Sequence, residues 1–108
     1  MPNSNIFWMT GIDPDYRPEV AESLDKFAQL SGLRVVVTDG VRPENAPYGA
    51  KKSLHKKRLA VDVKIKAAPM QVYEWAKSAG FTGFLFWKSK DGKRWGYHLD
   101  RRDLVGKA

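Results

Sequence analysis

Residues 59–65, with the sequence LAVDVKI, alternate between apolar side chains and small or polar ones. The large apolar residues of this pattern are Leu59, Val61, Val63 and Ile65. A period of two is typical of a β-strand with one buried and one open face. We therefore predict a strand here, with Asp62 on the face opposite the hydrophobic one.

Two helices are predicted on either side of this strand. Apolar residues recur at helical spacing over residues 18–31 and 69–79. Pro18 and Pro69 suit the first turn of a helix, and Gly32 and Gly80 suit its end. Each helix is therefore bounded by residues that favour its start and its stop.

Further strands complete the predicted sheet. A run rich in β-branched residues predicts a strand over 33–38, and Asp91-Gly92 predicts a hairpin between strands over 84–87 and 94–99. Residues 42–53 are predicted to form a long polar loop, a feature that is often functional in small domains. The expected fold is a single α+β domain over residues 1–108. It has a small, mostly antiparallel sheet, two main helices and an irregular N-terminal segment over residues 1–17.

The composition limits the possible functions. The chain has 108 residues, no cysteine and a net charge of +7. Disulfides, thiolate zinc sites and cysteine nucleophiles are therefore excluded. The charge favours a polyanionic partner, such as nucleic acid, anionic lipid or an acidic cell wall. No apolar run is long enough to predict a membrane span. The first residues lack a signal-peptide pattern, so we expect synthesis in the cytoplasm.

The two histidines of the chain, His55 and His98, both lie near carboxylates. Asp62 follows His55 by seven residues, and strand alternation places His98 and Asp100 on one face of the last strand. If the strands are neighbours, two imidazoles and a carboxylate can converge as zinc ligands, leaving a position for water. The alternative is that His55 is a solvated loop residue and that Asp62 pairs with a nearby lysine or arginine. The residues alone leave both interpretations open.

Residues 53–62, SLHKKRLAVD, resemble the S-x-H-x-x-G-x-A-x-D signature of zinc D-Ala-D-Ala carboxypeptidases, D-Ala-D-Ala dipeptidases and L-alanyl-D-glutamate endolysins. Four of its five fixed positions match, namely Ser53, His55, Ala60 and Asp62. Residues 37–43, VTDGVRP, resemble the T-S-G-Y-R-P segment of that family. Residues 80–84, GFTGF, and 98–100, HLD, resemble its closing G-F-x-G and H-x-D segments.

The resemblance implies a hedgehog-like or D-Ala-D-Ala-peptidase-like fold and a role for each matching residue. His55, Asp62 and His98 would be the ligands of Zn²⁺. Arg42 would hold a substrate carboxylate or a polarised carbonyl, since a guanidinium is always charged. Ser53 would be a structural hydrogen-bond partner, because in such enzymes metal-bound water attacks the substrate.

Three departures from the family pattern bear on catalysis. Trp95 occupies the position, three residues before the last ligand, at which many members carry an acidic general base. Asp100 is the nearest candidate for that proton transfer, and its alternative role is to orient His98. Asp39 replaces the usual serine and would approach the metal or pair with Arg42. Arg58 replaces the glycine, which implies either a different backbone conformation or a side chain in solvent.

Residues 51–58, KKSLHKKR, carry five cations and allow three interpretations. They form a solvated loop, a nucleic-acid or localisation patch, or a surface that holds the protein to an anionic cell wall. We expect the polyanionic partner to be the wall rather than nucleic acid.

The preferred function is a zinc metallopeptidase that acts as a monomer on peptidoglycan stem peptides. It would be carried in a phage particle, or act on the wall once released. The alternatives are a catalytically degenerate member of the fold that binds within a phage assembly, and a basic nucleic-acid-binding domain.

Overall fold

The computed structural model describes residues 5–39 and 58–106. Two helices and five strands form the domain, and a short 3₁₀ helix closes its C-terminal end. In chain order the elements are β1 (Ile6–Trp8), α1 (Pro18–Ser31), β2 (Val35–Asp39), β3 (Ala60–Lys64), α2 (Pro69–Ser78), β4 (Gly83–Lys88), β5 (Trp95–Asp100) and the 3₁₀ helix (Arg102–Leu104). The predicted loop over 42–53 lies outside the described residues.

The five strands form one mixed sheet in the order β1-β2-β3-β5-β4. β1 and β2 are parallel, and the other three pairs are antiparallel. The expected α+β fold, with two main helices and a mostly antiparallel sheet, is confirmed. β3 is the central strand, so the residues on its open face have neighbours on both sides.

The apolar face of β3 and its flanking residues form the middle of the core. Leu59, Val61, Val63 and Ile65 are each no more than 2% exposed. Both helices contribute to the same core, through Val20, Leu24, Phe27 and Ala28 of α1 and Val72 and Ala76 of α2. Because this face is fixed against the helices, Asp62 and Lys64 lie on the opposite face of the sheet.

The helix boundaries follow the predicted signals closely. Pro18 and Pro69 each occupy the first turn of a helix, where the missing N–H of proline costs no hydrogen bond. After α1, Gly32 adopts a left-handed conformation with φ of 63°, and its N–H donates to the Ala28 carbonyl. That arrangement terminates the helix as glycine commonly does.

The strand β1 is a difference from the sequence-based expectation, which treated residues 1–17 as irregular. Its three residues pair with β2, from Ile6 opposite Val35 to Trp8 opposite Val37. Just before it, the side-chain amide of Asn5 donates to the carbonyls of Ala28 and Leu33. Three residues are too few for a periodic signal, and the pairing partner is distant in the chain, so local pattern could not identify this strand.

The β4–β5 hairpin turns where Asp91-Gly92 predicts. Gly92 has a positive φ of 73°, and the Ser89 N–H donates to the Arg94 carbonyl at the base of the turn. In β5 the side chains of Tyr97 and Leu99 are buried in the core. Gly96, His98 and Asp100 therefore alternate onto the other face, beside Asp62.

Neither helix in residues 5–39 and 58–106 combines the length and the hydrophobicity that crossing a bilayer requires.

Arg58 connects the start of β3 to the N-terminal segment. Its φ of 64° is left-handed, the conformation that glycine favours, and in the family signature this position is glycine. The guanidinium donates to the carbonyl of Asp15 at 2.6 Å and to its carboxylate at 3.0 Å. The Arg17 N–H donates to the Arg58 carbonyl. The arginine thus keeps a glycine-like backbone and uses its side chain to hold residues 15–17.

This backbone conformation predicts the relative stability of two variants. Arg58→Gly and Arg58→Ala both lose the contacts to Asp15, but only the alanine retains the cost of a left-handed Cβ. We expect Arg58→Gly to unfold with a free energy about 1 kcal/mol higher than that of Arg58→Ala, measured by urea denaturation. Equal stabilities would contradict a left-handed residue 58.

Candidate metal and substrate site

Asp62 and His98 meet on the open face of the sheet. They are Cα partners across the antiparallel pair β3–β5, and His98 Nδ1 lies 3.0 Å from Asp62 Oδ1. Both side chains are mostly buried, at 13% exposure for Asp62 and 21% for His98. The structure therefore brings together two of the three side chains expected to bind zinc. The third, His55, lies outside the described residues, as do Arg42, Ser53 and all of the basic stretch except Arg58.

The chemistry of this pair fits a zinc ion. Imidazole nitrogen and carboxylate oxygen are both common zinc ligands, bound at about 2.0–2.2 Å. Two ligands at that distance in a tetrahedral shell lie roughly 3.3 Å apart, close to the separation of Nδ1 and Oδ1. Within the described residues, no group of three histidine or carboxylate side chains is arranged to hold a metal ion. A complete site therefore needs a ligand from elsewhere, and His55 is the residue that the resemblance supplies.

Asp100 holds the far side of the His98 ring. Its carboxylate is completely buried, and Oδ2 lies 2.8 Å from His98 Nε2. The backbone N–H and the Nε of Arg102 each donate to Oδ1 at 3.0 Å, and a terminal guanidinium nitrogen donates to Oδ2. A carboxylate on the second nitrogen of a ligand histidine orients the ring and leaves its first nitrogen for the metal.

The two carboxylates also set the protonation state of His98 in the metal-free protein. Burial alone would lower the pKa of His98, but the hydrogen bonds to Asp100 and Asp62 and their negative charges raise it to about 9. Burial opposes ionisation of Asp100, yet the hydrogen bonds from His98 and Arg102 and their charges hold its pKa well below the usual range. In the metal-free protein the two carboxylates therefore favour the protonated form of His98.

Gly83 makes room for the Asp100 carboxylate. The two residues are Cα partners in the β4–β5 pair. A Cβ at residue 83 would overlap the carboxylate of Asp100. Gly83 is the last glycine of the G-F-x-G segment, so this motif serves the histidine site by admitting a buried carboxylate beside it.

A cleft of about 330 Å³ opens beside Asp62. Asp39, Asp62, Trp87 and Trp95 are among the residues that line it. By the family resemblance, Trp95 stands at the usual position of the general base. In the structure its indole forms part of the cleft wall.

Asp39 reaches this cleft because of a β-bulge. The register of the β2–β3 pair shifts between Val37 and Asp39, so that Asp39 rather than Thr38 is the Cα partner of Asp62. Regular alternation from the buried Val35 and Val37 would have directed Asp39 into the core. Two carboxylates facing each other across neighbouring strands repel, an arrangement that a bound cation stabilises.

Three buried polar atoms without a hydrogen-bond partner belong to residues near this cleft. In the described part of the chain they are Tyr16 Oη, Thr38 Oγ1 and Trp87 Nε1. Thr38 and Trp87 line the cleft. Burial and the negative charges of Asp39 and Asp62 raise the pKa of Tyr16. Unpaired buried donors are uncommon in folded proteins and often mark functional sites. No sequence pattern pointed to Tyr16, because its place near Asp39 and Asp62 depends on contacts between distant segments. Thr38 stands in the segment that resembles T-S-G-Y-R-P, but nothing in that resemblance indicated a buried hydroxyl.

A family model described as Peptidase M15 matches residues 1–93 of this chain. The match includes Asp62 and residues 53–62, and it ends before His98. No curated protein matches the chain significantly. The match supports a metallopeptidase, and the contact between His98 and Asp62 is an independent observation from the geometry.

The crowding at Gly83 predicts a strong effect of a single methyl group. Gly83→Ala places a Cβ against the Asp100 carboxylate, so either the strand or the buried ion pair must shift. We expect a loss of about 2 kcal/mol or more in the free energy of unfolding, measured by urea denaturation. Lys88→Ala, an exposed change on the same strand, is the control and is expected to stay within about 0.5 kcal/mol of the wild type. Wild-type stability in Gly83→Ala would contradict the described packing.

Proposed function

Because this chain belongs to the M15 family of peptidases, we propose that it is a zinc-dependent peptidase that hydrolyses an amide bond in peptidoglycan stem peptides. The type of cleavage would be that of a carboxypeptidase or an endolysin. The observation that carries the proposal is the 3.0 Å contact between His98 Nδ1 and Asp62 Oδ1 on neighbouring strands, beside a cleft. The charge of +7 suits an enzyme that works at an anionic wall.

Three residues are proposed to hold the metal: Asp62, His98 and, from the segment outside the described residues, His55. Zinc bound there would polarise the scissile carbonyl and lower the pKa of a bound water. Arg42 is proposed to hold a carboxylate or carbonyl oxygen of the substrate with its charged guanidinium. Arg42, like His55, is assigned on the family resemblance.

Asp100 is proposed to position His98 rather than to transfer protons to the substrate. It is completely buried, and both of its oxygens accept hydrogen bonds, from His98 and Arg102. A carboxylate in that position cannot touch a substrate lying in the cleft. It fixes the plane of the imidazole and the tautomer that leaves Nδ1 available.

Asp39 is proposed to transfer the proton, in place of the acidic residue that Trp95 replaces. It lines the same cleft as Asp62 and is next to it across β2–β3. Its carboxylate would accept a proton from the attacking water as the new C–O bond forms. It would then give that proton to the amide nitrogen as the C–N bond breaks. Trp95 has no ionisable group, so it can contribute only shape and stacking.

We further propose that the protein is encoded by a phage or prophage, and that it reaches the wall in a particle or after release. A catalytically inactive member that binds within a phage assembly is the alternative. It is distinguished by the two experiments that follow.

Metal analysis tests the ligand set. The wild-type chain, purified without added zinc, is expected to contain about one zinc per molecule by mass spectrometry of the elements. His55→Ala, Asp62→Ala and His98→Ala are each expected to lose most of it, because three ligands are the usual minimum for a catalytic zinc. Glu74→Gln, an exposed carboxylate on α2, is the control. A wild type without stoichiometric metal, even after zinc is supplied, would exclude the proposed mechanism.

Release of amino groups from purified peptidoglycan tests Asp39. We expect hydrolysis that a chelator abolishes, and in Asp39→Asn a fall in kcat of about 100-fold or more, with zinc content unchanged. Asp39→Glu is expected to recover part of the rate, since it restores a carboxylate. Full activity in Asp39→Asn would assign proton transfer elsewhere. Wild-type protein that holds zinc but releases nothing would favour the binding module.

A further inference from the structure

A second cavity, beside the first, carries positive charge. We propose that it binds a carboxylate-bearing segment of the substrate, so that it selects stem peptides with a free acid near the scissile bond. The proposal rests on the proposed function, because it extends the same substrate beyond the cleft. We name this cavity the basic groove and define it by Leu33, Arg34, Val36, Lys64, Lys66 and Trp95.

The basic groove has the volume and the apolar lining that are typical of a ligand site. Its volume is about 580 Å³, within the usual range for small-molecule sites. Leu33 and Val36 supply an apolar surface on one side, and the ring of Trp95 supplies another. Such surfaces bind the hydrocarbon parts of a peptide, while charged groups at the edge fix its orientation.

Three cations line the groove, and among the described residues that line it none is acidic. Lys64 Nζ lies 5.3 Å from the ring centroid of Trp95, and the Arg34 guanidinium lies 4.5 Å from that of Phe7. None of the ion pairs between described residues involves Arg34, Lys64 or Lys66. Arg34 and Lys64 contact aromatic rings rather than carboxylates, so their charges remain available to an anionic ligand.

Lys64 and Trp95 line both the basic groove and the cleft beside Asp62. The two cavities are therefore adjacent, and a ligand long enough to pass Lys64 and Trp95 could contact both. The stem peptides of peptidoglycan carry free carboxylates in addition to their amide bonds, so one substrate supplies both the reacting group and the anion. Trp95 cannot act as a base, but as part of both linings it would contribute to substrate specificity.

The shape favours a short peptide over a long polyanion. A polymer such as a wall polyphosphate is held by an extended row of surface cations and has little need of an apolar floor. Here three cations line one cavity, which shares Lys64 and Trp95 with the candidate catalytic cleft. The observations therefore fit a single carboxylate on a compact ligand.

Equilibrium binding to a matched pair of peptides tests the inference. The probe is a synthetic stem-peptide fragment with a free carboxylate on its glutamyl residue, compared with the same fragment in which that carboxylate is an amide. Binding to the 108-residue chain is measured by calorimetry, as purified and after a chelator has stopped any hydrolysis. We expect the free acid to bind about tenfold more tightly than the amide. Replacing Arg34, Lys64 and Lys66 together with glutamine is expected to abolish this preference.

A second triple variant controls for net charge. Lys26, Lys77 and Lys90 are exposed and do not line the groove, and their replacement with glutamine removes the same total charge. We expect it to retain the tenfold preference. Equal affinity for the two peptides, or an equal loss in both triple variants, would overturn the proposal. Tighter binding of a wall polyphosphate than of the free acid would also overturn it.

This outcome is separable from that of the proposed function. A preference for the free acid without hydrolysis would leave the groove in place and reject the peptidase activity. Hydrolysis of both peptides without any preference would support the peptidase and reject the groove.

Discussion

The imidazole of His98, held between the carboxylates of Asp62 and Asp100, is the interaction on which the site depends. It connects the central strand β3 with β5, and through Asp100 it reaches the 3₁₀ helix and Arg102. Burying a carboxylate completely is costly unless its hydrogen bonds are satisfied. Here Arg102 and His98 satisfy them, and Gly83 supplies the space. The ring consequently has one defined orientation before any ligand arrives, which is the preorganisation that a metal site requires.

Much of this arrangement follows from local sequence. The alternation over residues 59–65 predicted both the buried face of β3 and the position of Asp62, and the structure confirms them. The alternation of Tyr97 and Leu99 likewise predicted the face of His98 and Asp100. These predictions succeeded because a strand with one buried face has a fixed period, and because the apolar residues leave only one choice of face.

Other features could not be predicted locally. β1 is defined by its pairing with β2, and its three residues are too few to show the alternation that predicts a strand. Asp39 faces the cleft because of a bulge, whereas the regular period of its own strand would have buried it. The same limit applies to Tyr16, which lies near Asp39 and Asp62 although it is 23 or more residues away from them in the chain. In each case the deciding contact joins residues that are far apart in the chain.

Arg58 has a consequence for how such families are recognised. The family signature specifies glycine at this position, but what the fold requires there is a left-handed backbone conformation. This chain meets the demand with an arginine at a φ of 64°, and the contacts to Asp15 offset the conformational cost. A comparison of amino-acid identities would count the position as a mismatch, although the backbone conformation that glycine favours is retained. Relatives that diverge in the same way will be found more readily by asking which conformations a motif enforces than by asking which amino acids it contains.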